Sequence, residues 1–324
     1  MTPIDQGSGN GEPLLALVGP TASGKTDAAV AIARSIDAEV VSIDSTTVYR
    51  GLDVGTAKPD PEQRSAVRHH LIDIIEPGAP FSVAEFQRLG LAAISAIRER
   101  GHVPLLVGGS GLYYRALVDR LEFPGTLASV RGLLEAEAQT VGPEPLYRRL
   151  TDLDPEAARR IEPANVRRTV RALEVIALTG RRFSSYYRVW DRFEPGAVRS
   201  AGIVLPRPVL HRRIEDRAIR IMPGVFEETR RLLDQGHDRF IIATQIIGYA
   251  EAAACLRGSI SADEALATFI RRTKSLARRQ LAWFRRDPRI RWFTAGEEGA
   301  AAIVDEVQAH LVGHKTDLTV AGRI

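Results

Sequence analysis

The fold is decided by the stretch Leu14-Leu15-Ala16-Leu17-Val18-Gly19-Pro20-Thr21-Ala22-Ser23-Gly24-Lys25-Thr26. Its short apolar run predicts a strand, which ends in the spacing G-x-x-x-x-G-K-T. The Ala-rich residues from Asp27 to Ile36 then predict a helix. Strand, glycine loop and helix follow one another in the order of a phosphate-binding loop. The backbone amides of such a loop and the positive end of the helix surround an anionic phosphate.

The loop also predicts specific roles for its side chains. Lys25 is expected to reach the terminal phosphate oxygens, and the Thr26 hydroxyl is the candidate ligand for Mg²⁺, the expected cofactor. The pattern indicates a di- or triphosphate ligand and does not say whether that ligand is ATP. The residues expected to contact it are Gly19, Pro20, Thr21, Ala22, Ser23, Gly24, Lys25 and Thr26.

Composition limits the class of protein. With 324 residues, 44% of them hydrophobic, the chain is long enough for one large domain or two smaller ones. No apolar run has the length of a membrane span, so no membrane partner is expected. The single cysteine, Cys255, excludes an internal disulfide framework and a cysteine metal cluster. We expect a cytoplasmic protein with a disordered tail at residues 1–12 and a frayed end at 313–324.

Strands and helices alternate from the phosphate-binding loop to about residue 120. Val40–Ile43 predicts a buried strand that leads into Asp44 and Ser45, and a later strand ends in a glycine turn with Ser110. Ligands of open parallel sheets bind at the carboxyl edge of the strands, where these polar residues fall. The sequence therefore predicts an α/β fold with a P-loop NTPase-like parallel sheet flanked by helices.

Two histidines precede Leu71 in a segment, residues 69–75, that predicts another short strand. Adjacent residues of a strand point to opposite faces, so His69 and His70 are not placed to share one metal ion. We favour a structural role for both.

Residues 124–200 contain no convincing strand and predict an all-helical insertion domain, which divides the core into residues 13–123 and 201–312. The insertion has thirteen arginines against ten acidic residues. Arg167, Arg168 and Arg171 follow the N-cap residue Asn165, and Arg167 and Arg171 share one helix face. Charge alone leaves a solvated face and an RNA-binding face equally open.

The strongest charge feature lies between Arg271 and Arg291, which enclose nine basic residues and one acid, Asp287. At helical spacing the basic residues through Arg286 fall on one side, and an apolar face that includes Phe284 falls opposite. A solvated helix normally interleaves acids, so the pattern favours a polyanion ligand. An anionic membrane surface is the weaker alternative.

With these stretches together, the sequence resembles the tRNA dimethylallyltransferase (tRNA isopentenyltransferase) family. The resemblance extends from Leu15 to about Trp292. It rests on Gly19–Thr26, Asp44-Ser45, Val48–Pro59, His69–Asp73, Gly108–Tyr113, Arg171–Val175, Gly248-Tyr249, Ala277–Gln280 and Trp283–Arg285.

The resemblance implies a reaction in which dimethylallyl diphosphate gives its five-carbon group to N6 of adenosine 37, beside the tRNA anticodon, and diphosphate leaves. The phosphate-binding loop would then hold the leaving diphosphate rather than ATP. Lys25, Mg²⁺ on Thr26 and Arg217, in the pattern R-I-x-x-R, would neutralise its charge. Asp44 would orient N6 and take its proton, and Ser110 stands where the family usually has Thr.

The resemblance also implies that the protein binds the anticodon stem-loop of tRNA, and we expect the protein to be a monomer. Thr46 and Thr47 depart from the residues that usually follow Asp-Ser, and Gln245 and Ala250 stand where many relatives have basic residues. The residues expected to contact tRNA are Asp44, Ser45, Thr46, Thr47, Ser110, Arg131, Arg167, Arg168, Arg171, Gln245, Gly248, Tyr249, Arg278 and Arg279.

Three alternatives remain open. The first is a small-molecule kinase that uses ATP, although it gives no reason for the helical insertion or the basic helix. The second is a prenyltransferase that acts on free adenine nucleotides and needs no large tRNA-binding insertion. The third is a non-catalytic RNA-binding protein, against which intact Lys25, Thr26 and Asp44 argue.

Overall fold

A parallel sheet forms the centre of the computed structural model, which describes residues 13–186 and 192–313. Within these residues the six strands run in the order β3-β2-β4-β1-β5-β6, and every neighbouring pair is parallel. The predicted parallel sheet is therefore confirmed. The predicted tails at 1–12 and beyond Gly313 lie outside the described residues. The strands are β1 (Leu14–Val18), β2 (Ala38–Ser42), β3 (His69–His70), β4 (Val103–Gly108), β5 (Val198–Val204) and β6 (Ile290–Thr294).

Helices connect and cover these strands. In the described part of the chain none of them is long and apolar enough to cross a membrane. The helices are α1 (Lys25–Ser35), α2 (Pro61–Ala66), α3 (Val83–Glu99), α4 (Gly111–Val118), α5 (Ala128–Val141), α6 (Pro143–Leu153), α7 (Pro155–Arg160), α8 (Val166–Thr179), α9 (Arg207–Asp234), α10 (Asp238–Thr244), α11 (Tyr249–Leu256), α12 (Ala262–Phe284) and α13 (Val304–Val312).

The alternation of side chains along β1 builds a core on each face of the sheet. Leu15 and Leu17 pack into one hydrophobic cluster with α1 and α9. Ala16 and Val18 pack into a second cluster with α3 and α4. Successive side chains of a strand point to opposite faces, and both faces here are covered, so the strand is apolar throughout.

The chain divides into two compact units. One unit comprises the sheet, up to Asp119 and again from Pro195, and the other is Arg120–Glu194. The second unit contains α5 to α8 and its own core, centred on Leu146 and Leu150. The sequence predicts this insertion at residues 124–200. The sheet instead resumes at Val198, because β5 pairs with β1 from Leu14 onward.

Two local predictions need correction. The strand expected over residues 69–75 ends at His70, because Leu71 and Asp73 adopt positive φ angles of 62° and 56° that turn the chain. His70 contacts Glu39 and His69 contacts the carbonyl oxygen of Val67, so the two rings have different partners, as strand alternation predicts. The basic helix ends at Phe284, so Arg285 and Arg286 follow the helix rather than extend its face.

Candidate active site at the carboxyl edge of the sheet

The phosphate-binding loop joins β1 to α1 at the centre of the sheet. Gly19 is required there, because its φ is 151° and a Cβ atom would lie 2.5 Å from the carbonyl oxygen of Ile203. Gly24 precedes α1 in a left-handed conformation, with φ 84°. The loop therefore follows a path that depends on glycine at both ends of the predicted motif.

Lys25 begins α1 and turns back over the loop, where its Nζ donates to the carbonyl oxygen of Pro20 at 2.7 Å. Burial lowers the pKa of Lys25 to about 8. Asp44 opposes the shift, and Arg217 adds to it. A phosphate group beside this ammonium would raise its pKa again, so anion binding and protonation of Lys25 are coupled.

A first cavity of about 600 Å³ lies over the loop. Its wall includes Thr21, Ala22 and Gly24 of the loop, the first residues of α1 and one face of α9. The α9 residues are Arg213, Asp216, Arg217 and Arg220, at helical spacing i, i+3, i+4 and i+7. Of these, only Arg217 is predicted from the sequence as a site residue, although the same helical periodicity indicates Arg213 and Arg220 as well. The cavity is therefore suited to a multiply charged anion.

Arg217 also contacts the loop directly, since its Nη1 donates to Thr21 Oγ1 at 3.5 Å. Burial lowers the pKa of Arg217, Arg220 lowers it further, and Asp44 raises it. Burial therefore disfavours the charged form of both Lys25 and Arg217, and a bound anion would stabilise it.

A second cavity, of about 450 Å³, adjoins the first. Its wall includes the polar residues Ser110, Gln245 and Arg279, and the apolar residues Ile247 and Phe269. Both cavities share a boundary, which is lined by Thr21, Ala22, Asp44, Thr56, Gly109, Arg217 and Gln280.

Asp44 lies two residues past β2, at this boundary. Its Oδ1 accepts from the Thr46 amide at 2.9 Å and from the Thr46 hydroxyl at 2.7 Å. Thr46 therefore orients the carboxylate. Thr47 is buried, and its hydroxyl lies 3.0 Å from Ser42 Oγ, whereas Ser45 is exposed.

Ser110 is the N-cap of α4, where its Oγ accepts from the Tyr113 amide at 3.4 Å. It also lines the second cavity, as its predicted position at the carboxyl edge requires.

Gln280 is not among the site residues that the sequence predicts. It extends from α12, and its Oε1 accepts from the Thr21 amide of the phosphate-binding loop at 2.8 Å. Gly109 leaves room for it, because a Cβ atom there would lie 2.3 Å from Gln280 Nε2. Two features of the sequence point to it, the resemblance motif Ala277–Gln280 and the glycine in the turn after β4.

The loop between Leu52 and Lys58 is held by a buried carboxylate that the sequence did not indicate. Glu228 accepts from the amides of Asp53 and Val54, both at 3.0 Å, and of Gly55 at 3.4 Å. Tyr249 donates to the same carboxylate at 2.5 Å. Burial, and next the charge of Glu228, raise the pKa of the Tyr249 phenol. This loop carries Thr56 to the boundary of the two cavities.

This arrangement corrects two predicted tRNA contacts. Tyr249 is 1% exposed, and Gly248 is also buried, with its amide donating to Glu251 Oε2 at 2.7 Å. Both residues pack inside the protein, so neither presents a side chain to an RNA. Gln245 is exposed and lines the second cavity.

The four arginines of the insertion that are predicted to contact tRNA fall into two groups. Arg131 and Arg171 each donate to Oε2 of Glu174 at 2.7 Å, and Glu174 is fully buried. Arg171 also donates to the carbonyl oxygen of Pro124 at 2.7 Å. Arg167 and Arg168 are exposed. Arg131 and Arg171 therefore stabilise the insertion, whereas Arg167 and Arg168 form no ion pair with another described residue.

The basic face of α12 divides in the same way. Arg272 pairs with Glu251, and Lys274 pairs with Glu215. Arg271, Arg278 and Arg279 are exposed and form no ion pair with any described residue. The charge available to a polyanion is smaller than the sequence count suggests.

The described residues contain no group of three His, Cys, Asp or Glu side chains that would hold a metal ion by themselves. Thr26 lines the first cavity, and its hydroxyl has no protein partner among the described residues. Mg²⁺ is commonly held by one or two protein oxygens, substrate phosphates and water. The donors present therefore fit a magnesium ion that a bound diphosphate helps to hold.

Comparison with known proteins agrees with this site. A family model described as IPP transferase matches residues 47–287. The tRNA dimethylallyltransferase of Moorella thermoacetica is 47% identical over 308 residues, which cover 91% of this chain and 94% of that protein. The tRNA dimethylallyltransferase of Streptomyces coelicolor is 47% identical over 288 residues, which cover 87% and 90%.

A solved structure agrees in fold over nearly the same length. The full-length tRNA isopentenylpyrophosphate transferase of Bacillus halodurans superposes with a TM-score of 0.69 at 38% identity, covering 94% of this chain and 96% of that one. The resemblance drawn from the sequence motifs is thus confirmed, and this chain belongs to the IPP transferase family, together with the tRNA dimethylallyltransferases.

Proposed function

We propose that this enzyme transfers the dimethylallyl group of dimethylallyl diphosphate to N6 of adenosine 37 in tRNA and releases diphosphate. The observation that carries the proposal is the position of Asp44. This carboxylate lines both a cationic cavity on the phosphate-binding loop and a second cavity bounded by the basic helix α12. The general base has to contact the attacking N6 amine close to the dimethylallyl carbon that it attacks. The boundary between a diphosphate cavity and an adenine cavity is where these two groups would come together.

The first cavity would hold the diphosphate. Lys25, Arg213 and Arg217 line it together with the loop amides, and these positive groups would stabilise the charge that develops on the leaving oxygen. As the C1–O bond breaks, its electron pair goes to diphosphate. Mg²⁺ held by Thr26 and the phosphate oxygens would supply further charge neutralisation.

The second cavity would receive the adenine. The lone pair of N6 is delocalised into the ring, so the amine is a weak nucleophile. Asp44 would orient the N6 amino group and accept one proton as the N6–C1 bond forms. Thr46 holds one carboxylate oxygen, at 2.9 and 2.7 Å, and so fixes the direction of the other.

An adenine inside a folded anticodon loop does not reach a cavity until it leaves the base stack. Exposed arginines on α12, Arg271, Arg278 and Arg279, and in the insertion, Arg167 and Arg168, are suited to the phosphates of the stem-loop. We also propose that the enzyme acts as a monomer in the cytoplasm.

Release of diphosphate tests this proposal against the alternatives. The enzyme with Mg²⁺ should release diphosphate from dimethylallyl diphosphate only when an unmodified tRNA with adenosine 37 is added. AMP or ATP as acceptor should give no release, and ATP should not be hydrolysed or used to phosphorylate tRNA. Robust ATP-dependent phosphorylation would contradict the proposal, and efficient release with AMP would favour a nucleotide prenyltransferase.

A further inference from the structure

Gln280 has a hydrogen-bonding group that its protein partner does not use. Its Oε1 accepts from the Thr21 amide at 2.8 Å. An amide N–H only donates, so the oxygen of the glutamine must face Thr21 and the NH₂ group must point away. That NH₂ group lies over Gly109, where a Cβ atom would come within 2.3 Å. Gly109 and Gln280 both line the boundary of the two cavities.

The helix holds this amide in place. Ala277 and Phe284, three residues before and four residues after Gln280, are buried and pack into the two core clusters of the sheet. Gly111 also contacts α12, since a Cβ atom there would overlap Trp283. The turn after β4 therefore fits against α12 through two glycines, and the position of the Gln280 amide is fixed by packing on both sides.

Asp44 and Gln280 present complementary groups to the same boundary. Asp44 offers carboxylate oxygens, which only accept, and Gln280 offers Nε2–H groups, which only donate. The Watson–Crick edge of adenine has the matching pair, the N6 amino group as donor and N1 as acceptor. Guanine has the opposite pattern at the same two positions, with O6 as acceptor and N1–H as donor. Enzymes that act on an extruded base commonly recognise its Watson–Crick edge.

We propose that Gln280 recognises the acceptor adenine by donating from Nε2 to N1, while Asp44 accepts from N6. The inference rests on the proposed function, since it assumes that adenine occupies the second cavity. Gln280 is then a specificity-determining residue that also fixes the phosphate-binding loop through Thr21. The loop and the base are held by the two ends of one side-chain amide.

The test compares tRNAs that carry adenosine, 1-deazaadenosine or 7-deazaadenosine at position 37. For each we would measure kcat/KM with saturating dimethylallyl diphosphate, on the wild type, Gln280→Glu and Gln280→Met. Gln280→Glu keeps an acceptor for Thr21 and removes the donor, whereas Gln280→Met removes both. Loss of N1 also alters the reactivity of the amine, so the informative quantity is the adenosine to 1-deazaadenosine ratio of kcat/KM in each enzyme.

We expect this ratio to be about 10- to 100-fold larger in the wild type than in either variant, because only the wild type pairs N1 with a donor. The adenosine to 7-deazaadenosine ratio of kcat/KM should be equal in all three enzymes, because the proposed contact does not involve N7. Equal 1-deazaadenosine ratios in the wild type and both variants would overturn the inference, even if the variants are slower overall. Inactivity of the wild type on adenosine 37 would instead contradict the proposed function.

Discussion

Lys25 is the residue whose charge the site controls most directly. Its pKa of about 8, lowered mainly by burial, means that its ammonium loses its proton within the range of ordinary assays. Its Nζ donates to the carbonyl oxygen of Pro20 at 2.7 Å, which holds the side chain over the phosphate-binding loop. The charge of Lys25 therefore varies with pH in this range.

Affinity for inorganic diphosphate should reflect this titration. Below pH about 8 Lys25 is already protonated, so the dissociation constant should vary little on its account. Above that value binding must take up a proton, and affinity should fall by up to about tenfold per pH unit. Calorimetry at constant Mg²⁺ measures the curve. Lys25→Arg, which stays charged, should lack this decline, and the same decline in both proteins would contradict the role of Lys25.

Asp44→Asn should lower kcat by about 10²–10⁴ because an amide does not accept the N6 proton, while the affinity for dimethylallyl diphosphate changes little. Single-turnover rates with preformed tRNA complex measure the chemical step. Thr46→Val is the matched control, since it removes one hydroxyl contact to Asp44 and keeps the carboxylate. If Asp44→Asn reacts nearly as fast as Thr46→Val, Asp44 is not the base.

The elements around the site are joined by contacts between residues distant in the chain. Glu228 lies 175 positions from Asp53, and Gln280 lies 259 positions from Thr21. The glycines and Lys25 form a contiguous pattern that sequence alone indicates, but no local spacing indicates which glutamate or glutamine meets a distant loop. The burial of Tyr249 was not predictable for the same reason, because its hydrogen-bond partner Glu228 lies on another helix.

Glu228→Gln should destabilise the protein by about 1–3 kcal/mol, because an NH₂ group would face backbone amides that need an acceptor. Chemical denaturation monitored by circular dichroism measures the free energy of unfolding. Glu227→Gln is the matched control on the neighbouring exposed residue and should have little effect. Equal stability of the two variants would mean that Glu228 does not anchor the loop.

In the insertion, Arg168 and Arg171 should behave differently. Arg168→Gln should leave the unfolding free energy unchanged and reduce the slope of log K against log salt for tRNA by about 0.7–0.9, the value for one phosphate contact. Arg171→Gln should lower stability by about 1–3 kcal/mol, because it removes a partner of buried Glu174. If Arg168→Gln leaves the slope of log K against log salt unchanged, Arg168 does not contact a tRNA phosphate.

At the scale of the whole molecule, apolar runs such as Leu14–Val18 predicted strands of the central parallel sheet. The last strand, Ile290–Thr294, was not among the predicted elements, because it follows directly on a strongly basic stretch. Which basic side chains stay unpaired was not predictable from the sequence. Several of them form ion pairs with glutamates distant in the chain, namely Arg272 with Glu251, Lys274 with Glu215 and Arg131 with Glu174. A count of basic residues therefore overstated the surface available to RNA.

The most direct test of the central claim is the mass of the modified nucleoside. The enzyme, Mg²⁺, dimethylallyl diphosphate and an unmodified tRNA with adenosine 37 are incubated, and the tRNA is digested and analysed by liquid chromatography and mass spectrometry. Adenosine 37 should gain one C₅H₈ unit, and a tRNA with guanosine at that position should stay unmodified. No mass gain at adenosine 37 at any Mg²⁺ or salt concentration would contradict the account.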